Sequence, residues 1–361
     1  MEQKHSKVVI YNYMDIANPK AGGAEKYCFE IAKRLVAEGK NVVWVSSRFK
    51  GSKRFEIING IQVRRISSIP LLVFSHIFII PELGSVDFVF ENVNVFPFFL
   101  IFFFRRRIIS MNHLLVSKEV LRKKSSILWP FLYFIQNVLS PRIYKENLVL
   151  ANSQSTKDEM LKLGYKNVVA VRLGVDIYKG VYKKENLVIS PGLVKPWKHH
   201  DHVIKAFSRV KTNWNLVIFG EFENLQWKNH IYNLLVDLNL SDRVKILGKI
   251  SEETKVSLYK KAKFALFASE KEGLGLSALE PQGFGCPVIA YNVPGVRDCV
   301  INNKNGLLIE FGDLDSFADA INRMITDNEL LMRMSYSATD YAKEFTWDNA
   351  FLDFKKALEN I

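Results

Sequence analysis

The amino-acid sequence predicts an α/β protein made of two doubly wound domains, each a parallel sheet with helices on both faces. Three observations carry that prediction. The chain has 361 residues, more than one hydrophobic core serves and comfortable for two domains of about 150–200 residues each. Short apolar runs alternate with amphipathic helical runs along its length, the pattern of a parallel sheet whose crossover helices cover both faces. The alternation restarts after a polar stretch at residues 174–185, and the charge balance changes there too. Residues 1–173 hold 26 Lys and Arg against 13 Asp and Glu, residues 174–361 hold 24 of each, so the whole net charge of +13 lies in the first part.

In the first part, residues 7–13 (KVVIYNY) form a β-rich run, followed by a loop containing Gly22-Gly23. Residues 25–38 carry apolar side chains at Cys28, Ile31, Ala32, Leu35 and Val36, a helical spacing that Gly39 closes before the strand 41–46. Further strands are expected at 61–66, 86–91, 107–111, 147–151 and 168–172, and helices at 126–139 and 155–163. In the second part, strands are expected at 187–190, 216–219, 244–247, 264–268 and 287–290, with helices at 202–211, 226–238, 252–262 and 276–283. A helical tail over 314–327 and 328–361 ends the chain. The expected domains are residues 1–173 and 174–340, with 341–361 a terminal helix placed to pack back on the first. Two such domains facing one another leave a cleft at the carboxyl ends of their strands, where ligands bind in sheets of this kind.

Composition narrows the classes. About half the residues are hydrophobic and a quarter charged, as in soluble globular proteins, and no repeat of 20–50 residues points to a solenoid or propeller. The opening MEQKHSKVVIYNYM lacks the apolar core of a signal peptide, so a cytoplasmic protein is expected. Cys28, Cys286 and Cys299 have no metal-ligand spacing; reduced thiols and no metal are expected. Basic clusters at Lys53-Arg54, Arg64-Arg65, Arg105-Arg106-Arg107 and Arg122-Lys123-Lys124 attract anions, whether nucleic acid, a phosphorylated acceptor or an anionic membrane, and each also suits a plain solvated surface. No RNA-binding motif with interleaved aromatics accompanies them, so nucleic acid is not expected as a partner. Two aromatic-rich runs, residues 93–104 (VNVFPFFLIFFF) and 127–139 (ILWPFLYFIQNVL), lie beside basic clusters. Both are shorter than the roughly 20 residues a membrane span needs, and suit either core helices or segments at a lipid interface.

The sharpest local signal is Glu272-Gly-Leu-Gly-Leu-Ser-Ala-Leu-Glu280, after an apolar strand and opening a helix. Glycines at 273 and 275 allow a tight turn, leaving the backbone N–H groups of Gly275, Leu276 and Ser277 free at a helix N-terminus. Such a place favours an anion, and a diphosphate suits it. Glu280, about one turn inside, can accept hydrogen bonds from vicinal hydroxyls, and Glu272 can do the same at the turn. A helix that opens on an acidic residue and carries a solvent-facing Glu has the same spacing.

This stretch, with Gly285-Cys-Pro-Val-Ile-Ala290, Pro294-Gly295 and Gly306-Leu-Leu, resembles the family-4 retaining glycosyltransferases of the GT-B fold, two Rossmann-like domains facing across a cleft. Matching pieces run through nearly the whole chain in order: Gly22-Gly23-Ala-Glu25, Ala151-Asn-Ser-Gln-Ser155, Gly174-Val-Asp176, and Gly248 followed by Ser251. The resemblance implies that Glu272 contacts the donor sugar and Glu280 the nucleotide ribose. It implies that Gly275, Leu276 and Ser277 cradle the diphosphate and Lys198, in Gly192-Leu-Val-Lys-Pro-Trp-Lys198, neutralises it. Gly22 and Gly23 fall at the glycine turn where backbone approaches the donor phosphate, and His113 lies near donor sugar and acceptor. The family usually has an arginine after the glycine that opens the Lys198 motif; here Leu193 stands there, and Lys195 is the nearest replacement. Each residue also has an ordinary reading: His113 as a satisfied structural histidine, Lys195 and Lys198 as exposed lysines, Gly22-Gly23 as a plain turn, Glu25 as an N-terminal helix charge. Asp313-Leu-Asp315 has the form of a metal-binding pair, but its place before an amphipathic helix reads as a cap.

The implied reaction is transfer of a sugar from a nucleotide-sugar to a glycan acceptor with retention of configuration and without metal or other cofactor. Developing charge on the leaving diphosphate would be stabilised by Lys198 and the amides of 275–277. The first-half charge and the aromatic runs add a lipid-linked acceptor and an anionic, cytoplasmic membrane face as expected partners. A nucleotide-sugar epimerase would need proton-transfer groups at the sugar, a glycan phosphorylase a pyridoxal-phosphate lysine, and a basic nucleic-acid or membrane-binding protein would leave the Glu272–Glu280 motif unexplained.

Overall fold

A computed structural model describes residues 6–66, 86–93, 96–104, 107–124, 127–178, 180 and 182–359. The chain divides into two compact units, one made of Met1–Gly174 with Trp347–Ile361, the other of Val175–Thr346.

Among the described residues, the first unit holds an eight-stranded sheet of β1 (Lys7–Tyr11), β2 (Asn41–Ser46), β3 (Phe55–Ile58), β4 (Ile61–Arg65), β5 (Phe88–Val93), β6 (Ile108–Asn112), β7 (Val149–Ala151) and β8 (Val168–Ala170). Their order is β3-β4-β2-β1-β5-β6-β7-β8. Every neighbouring pair is parallel except β3–β4. That hairpin adds a strand the sequence reading omitted. Its turn is Asn59-Gly60, both at positive φ (48° and 80°), the backbone a two-residue hairpin loop demands, so the Asn-Gly signal was present and passed over. The central strands β1 and β5 are buried along nearly their whole length, as a doubly covered sheet requires.

The Arg64-Arg65 pair is not a surface cluster. Arg65 is wholly buried and holds Asp15 through two hydrogen bonds of 2.7 and 2.8 Å, with a third to Glu56 at 2.7 Å. Arg54 and Arg64 instead lie over the exposed Phe55 ring, at 5.5 and 5.7 Å. Residues 126–139 are not one regular helix either. An α-helix over Trp129–Phe134 widens into a π-turn at Ile135–Leu139 and returns to α at Ser140–Ile143. Pro141 lacks the N–H that an α-turn would direct to residue 137, which accounts for the widened turn before it. Gln136, inside the π-turn, clamps the backbone N–H and C=O of Val116, both at 2.9 Å.

Among the described residues of the second unit six strands, all parallel, run in the order β11-β10-β9-β12-β13-β14: β9 (Leu187–Pro191), β10 (Asn215–Phe219), β11 (Val244–Ile246), β12 (Phe264–Phe267), β13 (Val288–Tyr291) and β14 (Gly306–Ile309). The short edge strand β14 was not expected; four residues carry too little periodicity to stand out. Helices at His200–Ser208, Leu225–Asp237, Glu252–Lys261 and Leu314–Thr326 cover the sheet. Asp313 caps the last of these by accepting the Ser316 N–H at 3.0 Å, and Asp315 pairs with Arg209.

The expected helix over 328–361 is two helices, Asn328–Ala342 and Trp347–Leu358. The second belongs to the first unit because its apolar stripe, Trp347, Ala350, Phe351, Phe354 and Ala357, is buried there. Phe354 packs on Phe88 and Phe90, with ring centroids 6.2 and 5.3 Å apart, and Asp353 takes two 2.7 Å hydrogen bonds from the Arg172 guanidinium.

Candidate active site

In each sheet the strand order reverses at one point, and candidate residues of that unit lie on the connections leaving it. In the second unit the strand order reverses between β9 and β12, the switch point at which doubly wound sheets bind ligands. The Lys198 loop leaves the carboxyl end of β9 and the Glu272 turn leaves the carboxyl end of β12. They meet: the Lys198 ammonium is paired with the Glu272 carboxylate, both side chains mostly buried, and lies 5.4 Å over the Phe267 ring.

The turn is built as its glycines require. Gly275 has φ +85°, a left-handed conformation that a side chain would strain, and it caps a four-residue α-helix, Leu276–Leu279, which tightens into a 3₁₀ turn at Glu280–Phe284. Pro281 follows Glu280 directly, so the expected helix over 276–283 changes character there. A Cβ on Gly295 would stand 2.2 Å from the Glu272 carbonyl oxygen; the Pro294-Gly295 motif is what lets the two loops touch. Among the described residues, the amides of Gly275, Leu276 and Ser277 donate no hydrogen bond to the chain. Three orphan donors at a helix start form an anion-binding surface.

Glu280 is anchored at one oxygen only. Its Oε2 accepts from the Tyr259 hydroxyl at 2.9 Å and pairs with Lys255 at 3.3 Å, while Oε1 accepts nothing from the described residues. Asp176, Tyr178, Lys255, Tyr259 and Phe284 line a small cavity beside it. Lys195 does not stand free: its Nζ is 4.0 Å from Glu223 and 5.1 Å over the Trp197 ring, and Leu193 is exposed. A cavity of about 530 Å³ in the same unit, walled by Tyr178, Phe284, Met332 and Tyr336, contains none of the candidate donor residues.

In the first unit the switch point falls at β1 and β5, and the Gly22-Gly23 turn lies on the connection that leaves β1. Glu25 proves more than a helix charge. It is buried, its Oε2 accepts the Gly22 N–H at 2.8 Å, and its Oε1 accepts from Asn12 at 3.2 Å, so it fastens the turn to the end of β1. The signal was the three-residue spacing of a capping box with glycine at the cap. A Cβ on Gly22 would meet only that carboxylate, at 3.7 Å. His113 follows β6 and packs edge-on to Tyr27, centroids 6.1 Å apart, with its carbonyl held by Asn152 at 2.8 Å. Its Nε2 is shielded from solvent with no hydrogen-bond partner, and burial pushes the imidazole down to about 4, so it is neutral at physiological pH. The site residues thus divide between the two units: Gly22, Gly23 and His113 in the first, Lys195, Lys198, Glu272, Gly275, Leu276, Ser277 and Glu280 in the second.

Two family models match consecutive parts of the chain, the Glycosyltransferase Family 4 model over residues 21–179 and the Glycosyl transferases group 1 model over residues 178–341. The chain belongs to the family-4 glycosyltransferases and has the GT-B fold. Among solved structures it superposes on the Anabaena HepE, crystallised with UDP and glucose, with a TM-score of 0.78 at 18% identity, over 99% of this chain and 100% of that one. The sucrose-phosphate synthase of Thermosynechococcus elongatus gives 0.81 at 17%, over 99% of each. Among curated relatives, an uncharacterized glycosyltransferase of Methanocaldococcus jannaschii is 29% identical over 51% of this chain and 53% of its own. The Campylobacter jejuni N-acetylgalactosamine-N,N'-diacetylbacillosaminyl-diphospho-undecaprenol 4-alpha-N-acetylgalactosaminyltransferase is 26% identical over 59% of each. The matches span roughly half the length of these curated relatives.

Proposed function

We propose that the protein is a retaining glycosyltransferase that moves a hexose or related sugar from a UDP- or GDP-sugar to a glycan acceptor, lipid-linked and presented at the cytoplasmic face of a membrane. The observation that carries this reading is the turn at Gly275–Ser277, with three unsatisfied amides beside the Lys198–Glu272 pair. It supplies positive potential from amides and one lysine where a diphosphate's charge would grow, which is how such a leaving group is stabilised without a metal. Glu280, with one oxygen open, suits a ribose diol. His113, neutral and with a ring nitrogen unpartnered, suits a sugar hydroxyl rather than a phosphate. The Campylobacter relative's lipid-linked substrate and the nucleotide-sugar bound by HepE favour the same donor and acceptor classes.

A panel of UDP- and GDP-sugars in a thermal-shift assay tests it. Ligand at about 100 times its dissociation constant stabilises by about 2.7 kcal/mol, which raises the melting temperature by several degrees. One nucleotide class is expected to stand out, and product from that donor with the anomeric configuration kept. No stabilisation by any nucleotide-sugar, or an inverted product, overturns the proposal.

A further inference from the structure

The run His199-His200-Asp201-His202 follows Lys198, and it contains a cluster that the donor site does not use. His199, Asp201 and His202 each bring one ligand atom within 4.8 Å of the others. His199 Nδ1 is 3.8 Å from Asp201 Oδ1 and His202 Nε2 is 3.9 Å from Asp201 Oδ2, too far for hydrogen bonds. The outer nitrogens are engaged instead: His199 Nε2 with Glu270 at 3.1 Å, His202 Nδ1 with the Tyr291 hydroxyl at 2.9 Å. Imidazoles held at the outer nitrogen, with the inner one turned on a shared carboxylate, are the arrangement of metal-ligating histidines and their supporting shell.

One further observation points to a ligand. Asp201 is 7% exposed, and its Oδ1 is buried without any hydrogen-bond partner; a buried carboxylate oxygen left so is costly unless a cation completes it. His199 caps the helix His200–Ser208 with a left-handed backbone (φ 46°), a region histidine enters more readily than most side chains. The fourth member of the run, His200, is buried and is not one of the three residues whose ligand atoms converge.

We infer that His199, Asp201 and His202 form a site for one borderline divalent cation of the Zn²⁺ class, bound by two imidazole nitrogens and one carboxylate oxygen with a further position open. Two nitrogens and one oxygen disfavour Mg²⁺ and Ca²⁺, which take oxygen sets. Phe311, 5.3 Å from the His199 ring, adds an apolar wall. Lys205, 3.1 Å from Asp201 Oδ2, and the start of the helix His200–Ser208 oppose a cation, so binding is weaker than in a closed four-ligand site. Occupancy would pin the left-handed turn that joins Lys198 to this helix; the cation is assigned no step in sugar transfer.

The test uses the full chain without a polyhistidine tag. Co²⁺ is titrated by visible absorption and displaced with Zn²⁺, and Zn²⁺ stoichiometry is read by calorimetry. One equivalent is expected, with a Co²⁺ band of low-coordinate nitrogen–oxygen ligation that Zn²⁺ removes. His199→Ala and His202→Ala should abolish saturable binding. Glu270→Gln, which touches only the outer nitrogen, should weaken it by about 10–100-fold. Melting curves in EDTA establish that each variant is folded. Should a histidine variant unfold, Asp201→Asn keeps the shape, removes the charge, and must still weaken binding. No saturable binding by the wild type, or unchanged binding in the double histidine variant, overturns the site. Neither result bears on nucleotide-sugar turnover, which is measured separately.

Discussion

The Lys198 ammonium rests on the Glu272 carboxylate, joining a loop after β9 to a turn after β12 across 74 residues of chain. The lysine proposed to meet the diphosphate is thus held in position by the carboxylate proposed to meet the donor sugar. Lys198→Ala should lower kcat by about 10²–10³-fold, the usual loss for one group that stabilises developing negative charge. It should also destabilise the fold by leaving Glu272 mostly buried without its partner. Glu272→Gln keeps the shape and should cut turnover while the protein melts near the wild-type temperature. Steady-state kinetics and melting curves read both, and wild-type turnover in either variant would remove the pair from the site.

Glu280 should act on binding more than on the chemical step, because its open oxygen is proposed to accept hydrogen bonds from the ribose. Glu280→Ala should raise the dissociation constant for the free nucleoside diphosphate about as much as that for the intact donor, measured by calorimetry. A loss confined to kcat, with nucleotide affinity unchanged, contradicts the assignment.

A pH dependence follows from Glu91 within β5. Burial raises its carboxyl to about 7, against hydrogen bonds from Tyr144, the Phe98 amide and Ser110 that favour the charged form. Between the ordinary value near 4.5 and about 7 the folded protein holds a proton that the unfolded chain has released. Its stability therefore falls as pH rises through that window, at up to about 1.4 kcal/mol per pH unit, and levels off above it. The stability difference between wild type and Glu91→Gln, from urea unfolding at several pH values, should show that slope. A difference independent of pH from 5 to 7 refutes it.

Membrane docking rests on the aromatic segments of the first unit. Phe102 is 70% exposed and Ile127 85%, with Phe103, Leu128, Phe131 and Phe134 also exposed, so these runs are not core helices throughout. Phe96 and Phe131 lie 6.3 Å apart, linking the two segments. Arg105 and Arg106 lie outside the described residues, as do the side chains of Lys123 and Lys124, and among the described helices none is long and apolar enough to cross a membrane. Co-sedimentation should require anionic vesicles and fall with salt, each nearby basic residue adding about 1 kcal/mol. It should weaken in Phe102→Ser/Phe131→Ser and in Arg105→Ser/Arg106→Ser/Arg107→Ser. Equal pelleting with neutral vesicles, or none, leaves an enzyme acting away from lipid.

Sugar transfer should survive excess EDTA, since amides and Lys198 are proposed to carry the diphosphate's charge. Asp313 and Asp315, which have the form of a metal-binding Asp-x-Asp pair, are spent as a helix cap and as a partner of Arg209. Loss of turnover in EDTA that Mn²⁺ or Mg²⁺ restores would show that the charge is carried otherwise.

The sequence by itself determined most of the elements and the fold class, because periodicity and turn chemistry are local. Strand 41–46 and the helix starting at Glu252 are legible from a few neighbouring side chains, and Glu272 to Glu280 is a spacing within two turns. What the tertiary structure decided involves residues far apart in the chain. Arg65, read as half of a surface pair, is the buried partner of Asp15, because nothing within β4 reveals the carboxylate 50 residues earlier. The last helix joined the first unit because its apolar stripe meets Phe88 and Phe90 and its Asp353 meets Arg172, 181 residues earlier. Glu25 looked like a helix charge until Asn12 and the Gly22 amide closed on it. Hydrophobic period records which face a residue turns inward; which charge waits there is set by the packing of other elements, and only the folded chain brings them together.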